Sequence, residues 1–201
     1  MQEVFYEESA TLENRKSALR KYNLLSVFQI VSIVMIVIWG IIVITGIPVE
    51  NFGQVVGIVL AVLPFVTFGL LIFVLSRHKK SVFVDYDYTF VTGSIRISKV
   101  IRERKRKFII KFEAEEIEKL GEYASETYNK YEKVPGISKK IFTSNITPAE
   151  NKKFYYLVVN TNGDKQLLVL ECTEMFLVNV LKFTKNKLIV EEGFGRSKWY
   201  I

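Results

Sequence analysis

Asp85 and Asp87 are two residues whose type and spacing could do chemistry. Carboxylates two positions apart on a strand share a face, and paired carboxylates can carry out general acid–base catalysis. Here they alternate with Tyr86 and Tyr88, so polar positions on the exposed face of a half-buried strand account for them more simply. Glu115, Glu116 and Glu118 read the same way, as a solvated surface. His78 is the single histidine and sits in the basic run Arg77-His78-Lys79-Lys80, an implausible place for a Ser-His-Asp or Cys-His relay. Cys172 is the single cysteine, so no disulfide forms within the chain, and it reads as a small buried apolar residue. A protein-only zinc site would need several Cys or His ligands. No glycine loop of the P-loop or dinucleotide type occurs, and Gly193-Phe194-Gly195 is too little to make one. The expectation is no catalytic residue, no metal ligand and no cofactor.

One constellation remains, the decapeptide "IRERKRKFII" at 101–110. Arg102, Arg104, Lys105, Arg106 and Lys107 fall within six residues, opposed only by Glu103. A solvated hairpin turn, whose charge discourages pairing at a sheet edge, is the plain reading. The second is contact with anionic lipid headgroups, where each basic residue close to a charged bilayer adds about 1 kcal/mol. Nucleic acid is the least favoured partner, because no recognised binding motif accompanies the charge.

The elements that position this cluster begin with two spans. Residues 24–47, "LLSVFQIVSIVMIVIWGIIVITGI", and residues 55–75, "VVGIVLAVLPFVTFGLLIFVL", carry no charge. At a rise of 1.5 Å, about 21 helical residues cross about 31 Å, the thickness of a hydrocarbon core. Backbone polar groups in lipid must pair internally, which predicts a helical hairpin. The first span does not read as a cleaved signal, because its apolar run is too long and Glu3, Glu7, Glu8 and Glu13 precede it. Gly46, Pro48, Asn51 and Gly53 break the chain between the spans, in a connection that holds Glu50 and no Lys or Arg. Arg15, Lys16, Arg20 and Lys21 precede the first span, and Arg77, Lys79 and Lys80 follow the second. The positive-inside rule then predicts a multi-pass protein of the cell membrane with both termini cytoplasmic. Ser26, Gln29 and Ser32 recur every three residues as a polar stripe, and Gly57 with Ala61 forms a small-xxx-small pair. Both suit packing of the two helices on each other, with homo-oligomerisation as the sharper alternative. Pro64 predicts a kink. The spans contain no Asp, Glu, Lys or Arg, which disfavours transport.

The net charge of the chain is +7. Residues 81–201 hold 21 lysines and arginines against 16 acidic residues, a net of +5, so part of the basicity belongs to the membrane flanks. Their pattern is mainly β. Strands are expected at 82–91, 95–101, 107–112, 153–161 and 165–172, the last two joined by the turn Asn162-Gly163-Asp164. A helical turn running into a strand is expected over 114–123, and "KIFT" at 140–143 is a candidate short strand. Residues 124–152 read as a long, partly irregular insertion. A helix is expected from about Glu174 to Lys185, capped by Thr173, with Phe176, Leu177, Val180, Leu181 and Phe183 on its apolar face. The expected organisation is a cytoplasmic N-terminal segment (1–23), helix (24–47), external loop (48–54), helix (55–75), basic linker (76–81), β domain with C-terminal helix (82–188) and tail (189–201). In that tail Trp199 and Tyr200 would suit a membrane interface.

Several antiparallel strands closed by one helix resemble a bacterial pleckstrin-homology-like domain. More closely, the chain resembles a family of uncharacterised small membrane proteins of the Gram-positive anaerobe type. The membrane hairpin, the stretch "DYDYTFVTGSIRISKVIRERKRK" and the helix after "LLVLEC" carry that resemblance. It implies an α+β chain, two transmembrane helices followed by a cytoplasmic antiparallel β domain with a C-terminal helix, and it brings no activity with it. Eukaryotic domains of this type that bind phosphoinositides use a basic first hairpin. The turn Val91-Thr92-Gly93-Ser94, read here as the first, has no basic residue. The expected function is a non-enzymatic membrane-anchored module, foremost a protein-interaction or scaffold domain with an unknown partner. The alternative is peripheral contact with anionic lipid through residues 102–107.

Overall fold

The computed structural model describes residues 4–46, 54–161, 163–184 and 190. The chain divides into two compact units, residues 14–83 and the remainder.

The first unit is the helical hairpin. Helix α1 spans Arg15–Gly46 and α2 spans Gln54–Lys80. Both have a mean hydropathy of 2.9 in their most apolar window, and only 6% of each window is buried, so neither is the core helix of a soluble fold. At 32 residues, α1 is about 48 Å long, more than a bilayer core requires. Asn14 starts it by accepting the Ser17 N–H at 3.0 Å, and the basic flank from Arg15 to Lys21 belongs to its first turns. The basic segment 76–81 expected as a linker is instead the last turn of α2 through Lys80. Lys and Arg are good helix formers and their charge complements the C-terminal dipole, so the helix runs on past the apolar stretch. Gln29 donates to Ser76 Oγ at 3.1 Å and accepts from Lys79 Nζ at 2.9 Å, tying α1 to α2. Ser26 and Ser32 donate back to carbonyls of their own helix, at Tyr22 and Phe28. Trp39 reaches the Ala61 carbonyl at 3.0 Å, and Gly57 is buried.

The second unit is a two-sheet domain. One sheet has the order β1-β2-β3-β4, from Phe5–Ala10, Val84–Val91, Ser94–Ile101 and Lys105–Glu113. The other has the order β5-β7-β8-β6. Its strands are β5 (Ile117–Glu122), β6 (Ser138–Phe142), β7 (Lys153–Thr161) and β8 (Asp164–Cys172). All pairings are antiparallel except β6 with β8. A short helix α3 (Glu126–Glu132) precedes β6, and α4 (Glu174–Lys182) follows β8. The core lies between the sheets, with Tyr88, Phe90, Ile95, Ile97 and Phe112 from one and Leu120, Tyr155, Leu157, Leu168 and Leu170 from the other. Phe176, Leu177 and Val180 of α4 enter the same core, as does Cys172, whose thiol burial pushes well above its ordinary range.

Strand β1 is the main departure from expectation. The segment expected at 1–23 is not a single unit outside the domain: Phe5–Ala10 pair with Val91–Tyr86 across most of β2, and Arg15 onward belongs to α1. The membrane hairpin is thus inserted between the first two strands of the domain, rather than preceding it. The turn at 92–93, read as the domain's first, joins its second and third strands. Glu8 fastens β1 to the start of α4, accepting the Thr173 N–H at 2.8 Å and the Thr173 hydroxyl at 2.9 Å. That hydroxyl therefore does not cap α4, although Thr173 holds the cap position. Lys152 completes the fastening, 3.4 Å from Glu8 and bonded to the Ser9 carbonyl.

The insertion 124–152 is more ordered than its polarity suggests. Ser125 accepts the Tyr128 N–H at 3.2 Å and starts α3, whose Tyr128 covers Tyr156, Val158, Leu167 and Val169 on the outer face of the second sheet. Residues 143–152 form an irregular loop gathered around Glu171, which is fully buried. Thr143 Oγ1, Asn145 Nδ2 (2.9 and 3.0 Å) and the Ala149 N–H (2.8 Å) all donate to its carboxylate.

Candidate functional site

The basic cluster occupies a tighter turn than residues 102–107. Arg102 and Glu103 have φ of +53° and +59°, and the Arg104 N–H donates to the Ile101 carbonyl at 3.3 Å. Two successive left-handed residues closed by that bond make a turn of the primed kind within a three-residue connection, 102–104, between the paired residues Ile101 and Lys105. Asn-Gly suits such a turn, while Arg-Glu holds it against a cost of roughly 1–2 kcal/mol per residue. Lys105, Arg106 and Lys107 already belong to β4, so they alternate between its faces.

That alternation separates their roles. Arg106 lies on the outer face with Asp87 and Glu7, its Nε 3.2 Å from Asp87 Oδ2 and its Nη1 3.7 Å from Glu7 Oε1. Asp87 Oδ2 receives this charge without a well-directed hydrogen bond, while Asp87 Oδ1 accepts the Ser9 hydroxyl at 2.7 Å. Asp85 accepts the Leu12 N–H at 2.7 Å. The two carboxylates therefore bind β1 and the segment that follows it, and Arg106 is engaged on the same outer face.

Lys105 and Lys107 point to the other face, where the cross-strand partner of Lys107 is Lys99. Two lysines directly opposite each other repel, and no carboxylate pairs with either among the described residues. Lys99 was missed by sequence reasoning, which looked for charge only in the run. Its signal was the alternation Ile95, Ile97, Lys99, Ile101, which places it on the core-side face. The cluster is thus a core-side row of Lys99, Lys105 and Lys107 running into the turn at Arg102 and Arg104. Residues 102–108 are all exposed.

The register fixes where this cluster lies in the sheet. Val84, the first residue of β2, is opposite Ile101, and Ile101 is opposite Lys105. Ala10, the last residue of β1, is opposite Tyr86. The two points at which the chain leaves for and returns from the hairpin, and the turn 102–104, therefore share one end of the sheet. Adjacent strands are about 4.8 Å apart, so the turn lies within a few strand spacings of both points.

Of the remaining sequence candidates, Arg20, Lys21, Arg77, Lys79 and Lys80 lie on the two helices, outside this domain. Lys79 stands 4.8 Å over the Tyr22 ring. The loop expected at 48–54, apart from Gln54, together with Lys185 and the expected tail apart from Val190, with Gly193, Trp199 and Tyr200, lies outside the described residues. Among the described residues no group of three or more His, Cys, Asp or Glu could hold a metal.

Two helices able to span a membrane, and two sheets closed by a C-terminal helix, define a membrane-hairpin protein with a pleckstrin-homology-like domain. The chain belongs to the bacterial PH-like domain family DUF6106, whose family model matches residues 20–190. Among curated proteins and solved structures, nothing matches this chain.

Proposed function

We propose that this protein is a non-catalytic module anchored by its hairpin in the cell membrane, with both termini cytoplasmic, whose PH-like domain contacts anionic lipid headgroups. The observation that carries this reading is the shared sheet end: Lys99, Lys105 and Lys107 stand where the chain departs for the hairpin. A tether of three residues, 81–83, separates α2 from β2, and four residues, 11–14, separate β1 from α1. Anionic headgroups would relieve the repulsion between Lys99 and Lys107 and give a reason for the strained, charged turn. Asp85 and Asp87 are occupied in holding β1, which favours a non-catalytic role.

The test uses the full chain in nanodiscs containing spin-labelled phosphatidylglycerol or phosphatidylcholine. Wild type is expected to immobilise more of the anionic lipid. Arg104→Gln, Lys105→Gln and Lys107→Gln together should reduce that preference to the level the helix flanks sustain. An unchanged preference in the triple variant refutes the reading.

A protein partner is the second reading, supported by β4. It is an edge strand of its sheet, and Phe108 on it is 57% exposed. Such an edge suits strand addition by a partner. A photo-crosslinker at Phe108 should then capture one specific protein in intact cells, and capture of lipid alone speaks against it.

A further inference from the structure

Ile146 is 96% exposed. Single exposed apolar side chains are ordinary on protein surfaces, but this one is set apart by where its loop is fixed. Ser144 Oγ donates to the Val84 carbonyl at 2.7 Å, at the return from the hairpin. Asn145 Nδ2 donates to the Thr11 carbonyl at 2.9 Å, and Asn145 Oδ1 accepts the Glu13 N–H at 2.9 Å, at the departure to it. The residue just before Ile146 thus binds the backbone of one chain junction, and the residue before that binds the other. The buried Glu171 carboxylate holds the loop on both sides of Ile146, through Asn145 and the Ala149 N–H. Pro148 stiffens it further. An aliphatic side chain presented on a loop so firmly held has no flexible route back into the core.

We propose that Ile146 is a membrane-inserting residue, which buries its side chain in the headgroup–acyl boundary of the bilayer that the hairpin crosses. Val84 follows α2 after a connection of three residues, and Thr11 and Glu13 lie in the four-residue connection to α1, so the chain itself tethers the loop within four residues of both helices. An apolar tip beside a basic cluster is the pairing that peripheral membrane contacts use, one part driven by burial and the other by charge. The inference deepens the lipid-contact reading and rests on the domain lying against its own membrane, but it depends on burial rather than on lipid charge.

Cys172 is buried and the chain has no other cysteine, so one introduced thiol can be labelled selectively. An environment-sensitive fluorophore is placed on Ile146→Cys in the full chain, reconstituted in phosphatidylcholine and in phosphatidylglycerol vesicles. The same label on exposed Lys133→Cys gives the aqueous baseline. Insertion predicts blue-shifted emission, several-fold weaker iodide quenching than at position 133, and quenching by doxyl groups near the lipid headgroup, in both lipids. Iodide quenching equal to that at position 133 overturns the proposal. Shielding from iodide without doxyl quenching also overturns it and assigns the loop to a protein contact. If insertion persists while the charge-neutralised turn leaves lipid selectivity unchanged, the headgroup reading fails and this one stands.

Discussion

Lys107 is where stability and function part company at the scale of single residues. Its cross-strand neighbour is Lys99, so Lys107→Glu converts a repulsion into an attraction. The domain should gain about 0.2–1 kcal/mol, read as a higher unfolding midpoint in detergent, while the preference for anionic lipid falls. A variant that loses both would mean that Lys107 is structural. The turn gives a parallel case. Arg102→Asn with Glu103→Gly supplies residues at ease with positive φ and should raise stability by about 1–2 kcal/mol. At this scale the sequence showed the cluster but not its division. The separate role of Arg106 comes from Asp87 and Glu7 lying beside it on one face, a placement that the run of charge does not encode. Asp85 and Asp87 are legible as strand carboxylates, but their partners Leu12, Ser9 and Arg106 come from distant parts of the chain.

That segment, β1, is the clearest lesson at the scale of elements. Its inward positions, paired with Phe90, Tyr88 and Tyr86, are Tyr6, Glu8 and Ala10. An inward glutamate hides the alternation that normally reveals a strand, and Glu8 is inward because Thr173 and Lys152 satisfy it. Deleting residues 1–10 should leave the rest of the domain without a stable fold, seen as rapid proteolysis at its core strands. Strands β7 and β8 carried a signal of their own. "YYLVV" and "LLVL" are continuous apolar runs, which imply burial on both faces. The second cover is α3, too short to announce itself by periodicity. Glu118 ties β5 to the same sheet, accepting from Lys165 at 2.7 Å and Asn160 at 2.8 Å. Lys165 above all holds its carboxyl below the usual carboxylate range. A lowered carboxyl contributes stability above its unfolded value and loses it as pH falls through the folded one. Glu118→Gln should therefore reduce the loss of stability below about pH 4.5, measured by thermal unfolding across an acid series.

For the whole molecule, the order of elements carries the most information. A hairpin between β1 and β2 puts both of its connections at one end of one sheet, with the basic turn beside them and the Ile146 loop bonded to them. The spans were plain in the sequence because lipid demands long uncharged runs, and the PH-like class followed from strands ending in a helix. What composition could not reveal was that the domain begins before the membrane rather than after it. Joining Glu13 to Val84 through a short Gly-Ser link should therefore yield a soluble, folded domain, since Ala10 and Tyr86 are already neighbours in the sheet. Residues 84–201 alone should not fold. The most direct test of headgroup contact places an aqueous-accessible fluorophore on Arg104→Cys in the full reconstituted chain. Contact predicts weaker quenching by neutral acrylamide in phosphatidylglycerol than in phosphatidylcholine nanodiscs, with the difference vanishing at high salt. Equal quenching in both lipids at low salt would contradict it.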